Sequence, residues 1–120
     1  MTPKTVTVEN RSALTAKILR QAQKLVAKKN GWTSGSDAVN HLGTLVAWDD
    51  PAAVAFCAGG ACAKAAASVA PSLQGEALRV LRKGIGVRGR HGVSKWNDRP
   101  RRTQKQVVAA FDKAIKLAAS

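Results

Sequence analysis

Leu14, Ile18, Ala22, Leu25 and Val26 recur three and four residues apart, the spacing that puts side chains on one side of a helix. That stripe predicts a helix from Ser12 to Lys29, capped by Asn10 or Ser12 and ended at Asn30-Gly31, residues that tolerate left-handed backbone. Ahead of it, Thr5-Val6-Thr7-Val8 alternates like a short strand or an ordered lead-in. From Gly31 to Asp50 the period is lost, and Gly31, Gly35 and Gly43 among Ser34, Ser36 and Asn40 predict turns around a small hairpin. Asp50-Pro51 reads as a helix start, with Asp50 as N-cap and Pro51 in the first turn, opening a helix to about Val69. This stretch is nearly all alanine and glycine. Glycine inside a helix costs roughly 1 kcal/mol relative to alanine, so Gly59-Gly60 at its centre implies either a kink or a neighbour packed very close, and the close-packed helix is the favoured reading.

Pro71 closes that helix and Ser72 caps the next, whose apolar face is Leu73, Ala77, Leu78 and Leu81 and which runs out at Lys83-Gly84. Gly84 to Arg102 reads as a glycine- and arginine-rich connection. Thr103-Gln104-Lys105-Gln106 then matches a capping box, in which the Thr hydroxyl and the Gln side chain satisfy each other's backbone amides. Val107, Val108, Phe111, Ala114, Ile115 and Ala118 supply the buried face of a last helix. The expected fold is mainly α: a compact bundle of about four helices, with a small irregular or hairpin insertion after the first, in a single domain over residues 1–120. Its small-residue central helix is expected to pack against two amphipathic ones.

Composition changes this picture in one respect. Aromatics make up only 4% of the chain, so the core must rest on close backbone approach rather than on large side chains. Charge changes it more. Twenty Lys and Arg against seven Asp and Glu give a net charge of +13, a balance that suits polyanionic partners. The excess is concentrated: residues 79–105 carry +9, residues 1–31 carry +6, and residues 32–78 carry −3. Seven of the ten cations in 79–105 are arginine, whose planar fork suits phosphate and carboxylate. The expected contact residues are Arg82, Lys83, Arg88, Arg90, His91, Lys95, Trp96, Arg99, Arg101, Arg102 and Lys105, joined by Lys17, Lys24 and Lys28 from one side of the first helix. No interleaved aromatics and no zinc-finger spacing add base specificity, so the expected binding is to nucleic-acid backbone and depends strongly on salt. The plain alternative is a solvated cationic surface that only keeps the chain in solution.

Catalytic chemistry finds less support. Cys57 is the one nucleophile candidate, with His41 or His91 as its base, but an unpaired cysteine in a small-residue helix reads first as core. Cys62 lies about 140° further round a helix, so the two sulfurs cannot share a metal from one regular helix, and no metal or cofactor is expected. Trp32, Trp48 and Trp96 each stand just outside an expected helix and read as plugs at the ends of the core, with Trp96 the best placed to contact a partner. No run is long and apolar enough for a membrane span, and Met1 to Thr5 lacks the apolar stretch of a secretory signal. With two cysteines outside loop-rich sequence, these features predict a cytoplasmic protein with reduced thiols.

Gly31-Trp32-Thr33 with Gly35, Cys57-Ala58-Gly59-Gly60-Ala61 with Ala65, and Trp96-Asn97-Asp98 ahead of Thr103, Val107 and Phe111-Asp112-Lys113-Ala114-Ile115 together resemble an uncharacterised small-protein family of bacteria and phages. The resemblance covers about residues 12–118. It implies a bacterial or phage cytoplasmic protein and brings no established activity. Against it, Gly84–Gly92 is unusually basic and reads as an elaboration for a particular partner. A phage source would suit a host-takeover or anti-defence inhibitor or adaptor docking on an acidic or nucleoprotein partner. That is the alternative to direct nucleic-acid binding, with a Cys57-dependent enzyme third.

Overall fold

The computed structural model describes residues 4–119; Met1 to Pro3, part of the polar start, and Ser120 lie outside them. The elements in chain order are α1 (Arg11–Ala27), β1 (Ala38–Val39), β2 (Leu45–Val46), β3 (Ala55–Phe56), α2 (Ala58–Val69), a 3-10 turn (Pro71–Leu73), α3 (Gln74–Ile85), α4 (Gly92–Asn97) and α5 (Gln104–Ala119). The chain is mainly helical, as its pattern predicts, but the described residues hold five α-helices rather than four, and a three-stranded antiparallel sheet follows the first.

α1 is the hub. Its stripe of Leu14, Ile18, Leu19, Ala22 and Val26 is buried, and it packs against α5, α2, α3 and β3. α2 packs against both α1 and α3. Phe111 and Val107 of α5 and Leu81 of α3 complete the core around them. α5 begins as the capping box requires: the Gln106 amide donates to Thr103 Oγ1 at 3.2 Å and the Thr103 amide donates to Gln106 Oε1 at 3.0 Å.

Several expectations need correction. The helix expected from Pro51 begins seven residues later, because residues 50–56 are claimed by other partners. Asp50 Oδ1 accepts from the Ala52 amide at 2.8 Å in a turn, and Ala55 and Phe56 pair with Val39 and Ala38 of β1. Phe56 is thereby carried into the core, only 3% exposed, a burial that outweighs the helix preference of the alanines around it. The cap is Cys57 instead, in extended backbone, with its Sγ accepting from the Gly60 amide at 3.2 Å.

Gly60 therefore lies in the first turn of α2, not at its centre. The close neighbour it implies exists, but it is the backbone of Asp37 at the entry to β1: a Cβ on Gly60 would stand 2.2 Å from the Asp37 carbonyl oxygen. Asn10 holds the N-cap position of α1 without capping it; its Oδ1 accepts from the Thr7 amide at 2.7 Å, closing the lead-in on itself. That lead-in forms no strand, and the Lys4 amide donates to Val69 O at 2.8 Å.

The basic connection, finally, is not all loop. Gly84 and Ile85 finish α3, and Gly92 to Asn97 form α4, which puts Trp96 inside a helix and buries Val93 and Asn97.

Candidate functional site

Two constellations stand out, one built of buried polar groups and one of exposed charge. The first centres on Asn97, fully buried at the end of α4. Its Oδ1 accepts from the Trp32 indole N–H at 2.8 Å and from the Ala58 amide at 3.0 Å. Its Nδ2 donates to Thr33 O at 3.1 Å and to Asp98 Oδ1 at 2.9 Å, and Asp98 Oδ1 also accepts from the Gly35 amide at 2.8 Å. One side chain thus ties the segment after α1, the start of α2 and α4 together. Trp32, Thr33, Gly35, Ala58, Asn97 and Asp98, which are among the residues that carried the sequence resemblance, are neighbours here.

Cys57 sits beside this cluster, 4% exposed, with its thiol 3.8 Å from Asp37 Oδ1. Burial pushes its pKa up to about 11; the Gly60 amide lowers it in part, and the negative charge of Asp37 raises it further. The thiol is protonated at neutral pH, and a thiol is a far weaker nucleophile than a thiolate. Burial raises the Cys62 thiol as well. Neither sulfur is bridged. His41 and His91 are both exposed. Among the described residues no group of three or more His, Cys, Asp or Glu is placed to hold a metal ion.

The second constellation is a run of three adjoining cavities. A groove of about 730 Å³ between α1 and α2 is lined by Lys24 and Lys28 on one side, Lys64 on the other, and Trp48 at the end. Trp48 also walls a pocket of about 170 Å³ that holds Arg82 and Arg90 above the first turn of α2. Arg82 in turn walls a third cavity of about 470 Å³ with Arg79, Lys83 and Arg88. Eight cations line this run, against the carboxylates of Asp49 and Asp37. Among the described residues the ion pairs are those of Arg11 and Arg79 with Glu76, so seven of the eight cations have no ionic partner among them. Those two guanidiniums hold the Glu76 carboxyl below its usual range, the Arg79 hydrogen bond first among the causes.

The remaining expected contact residues are arranged differently. Lys17 lies on the same face of α1 as Gln21 and Lys24, at spacings of four and seven residues, and extends the row that ends with Lys28 at the C-cap. Trp96 and Arg102 are elsewhere: the Arg102 guanidinium stacks over the Trp96 ring at 4.0 Å and donates to Trp96 O at 2.9 Å, in a separate hollow between α3 and α5. His91, Lys95, Arg99, Arg101 and Lys105 are exposed around α4 and the entry to α5 and line none of the three adjoining cavities.

Lys64, Arg79 and Trp48 line the run but are not among the expected contacts. Lys64 is the single cation in the acidic middle of the chain, and that isolation was the available signal.

A family model matches residues 10–117. The chain belongs to DUF6197, a family of unknown function. The match spans both constellations, from the row of lysines on α1 to the capping box of α5. No curated protein and no solved structure matches the chain. Membership in DUF6197 therefore carries no activity with it. Among the described residues no helix is long and apolar enough to cross a membrane.

Proposed function

We propose that this protein is a non-enzymatic binder of nucleic-acid backbone, gripping it along the run of cavities from Lys24 to Arg88. What carries the reading is that, among the described residues, seven cations without an ionic partner line adjoining hollows. Like charges held together destabilise a compact chain, so their persistence in one strip is best accounted for by an anionic partner. Arginine and lysine divide the work: Arg82, Arg88 and Arg90 can fork onto phosphate oxygens, while Lys24, Lys28 and Lys64 act as point charges. The buried, protonated Cys57 thiol caps α2 and is satisfied in that structural role, which favours a binding protein over an enzyme.

Backbone binding releases counterions, so affinity is expected to fall steeply with salt. With about four phosphates engaged, Kd should rise roughly 10²-fold between 50 and 200 mM salt. Fluorescence anisotropy of a labelled oligonucleotide at the two concentrations measures this. A flat salt response, or no binding at the lower concentration, overturns the reading.

A further inference from the structure

Attraction to phosphate accounts for the cations along the strip but not for what lies between them. The groove of about 730 Å³ has an apolar floor to which Leu25 and the buried Ala65 contribute, with Lys24 and Lys28 along one wall and Lys64 along the other. Ala67 is an exposed part of the lining, and the half-buried Trp48 closes the groove at one end. The other two tryptophans are engaged within the chain, Trp32 through its N–H to Asn97 and Trp96 beneath the Arg102 guanidinium.

We propose that the nucleic acid held on this strip is single-stranded, with an unstacked base lying in the groove against Trp48 while Lys24, Lys28 and Lys64 take the flanking phosphates. The inference rests on the backbone-binding reading above and narrows its ligand. A duplex keeps its bases stacked inside and would lay phosphates over an apolar floor, leaving that floor wet and unused. A single strand offers what the groove lacks, a flat π-face joined to negative charge on both sides, and every base has one. Lys24 in the last turn of α1 and Lys28 at its C-cap are four residues apart, about 6 Å along the chain's helical rise, so they present charge at intervals along one wall rather than at a point. Asp49 fits the same pose: a carboxylate beside Trp48 repels phosphate there and can accept from the amino group of a base. Past Trp48 the strip continues to Arg82 and Arg90, giving the strand a second cationic stretch beyond the stacked base.

The test compares a labelled 12-nucleotide single strand with the duplex of the same sequence at one low salt concentration. Wild-type protein is expected to bind the single strand more tightly and to lose tryptophan fluorescence on binding, and Trp48→Phe should remove most of that loss. Trp48→Ala should weaken single-strand binding about tenfold, the scale of one base–aromatic stack, and change duplex binding less than twofold. Because Trp48 also packs against the core, Ala67→Gln supplies an independent reading: it fills the groove from an exposed position without altering charge. It too should cost about tenfold on the single strand alone. Equal affinity for both forms, or Ala67→Gln weakening neither, overturns the single-strand inference and leaves backbone binding standing. Failure to bind either form overturns both.

Discussion

Replacing Asn97 with alanine is expected to cost about 3 kcal/mol of folding stability, roughly 12 °C in the unfolding midpoint of a chain this size. Asn97 accepts two hydrogen bonds and donates two, all inside the protein, and no solvent reaches it to replace them. The alanine variant strands the Trp32 indole N–H and the Ala58 amide, and a buried donor without an acceptor costs about 1–3 kcal/mol. The two losses share one side chain and are not expected to add in full. Urea denaturation of Asn97→Ala, Trp32→Phe and the double variant separates them. With Trp32 already replaced, Asn97→Ala should cost about 1 kcal/mol less, because one of the stranded donors is gone. A loss below about 0.5 kcal/mol for Asn97→Ala would mean that the network does not hold the three segments together.

Gly60→Ala is expected to destabilise by a similar amount, about 3 kcal/mol, although alanine is the better helix former by roughly 1 kcal/mol. The added methyl would lie 2.2 Å from the Asp37 carbonyl oxygen, and that oxygen is backbone that cannot swing aside. The same carbonyl accepts from the Cys57 amide at 3.1 Å, so moving it loosens the joint between the sheet and the start of α2. Gly59 is the internal control. Its Cβ would meet only Cys57 Sγ, at 3.9 Å, which is ordinary contact. Gly59→Ala should therefore fall between no change and a gain of about 1 kcal/mol. Thermal melts of the two variants side by side distinguish close approach from simple helix preference. Equal behaviour would contradict the packing described for Gly60.

These two residues also show how far the sequence could be read. The amphipathic helices were legible because Leu14, Ile18 and Val26, and likewise Val107, Phe111 and Ala114, repeat with the helical period and carry recognisable caps. The start of α2 was not. In a run of alanines there is no apolar period to mark where the helix begins, and Asp50-Pro51 gives a locally sound start signal that β1 overrides by pairing with Ala55 and Phe56. Gly59-Gly60 did announce a close neighbour, but a missing side chain cannot say whether the neighbour is a helix or a strand. For the site, charge density along the chain pointed to Arg82, Arg88 and Arg90. It could not show that Arg102 turns back onto Trp96, or that Lys64 joins Lys24 and Lys28 across a groove. Those facts depend on which helices pack together.

The position of the charge, rather than its amount, is the claim on which the functional account depends. Two variants isolate it: Lys64→Glu with Arg90→Glu on the strip, and Lys113→Glu with Lys116→Glu on α5, all four at exposed positions and each pair lowering the net charge equally. Oligonucleotide affinity at low salt should fall roughly 10²-fold for the first pair, as contacts are lost and reversed, and only severalfold for the second. Equal losses for the two pairs would contradict a localised binding strip.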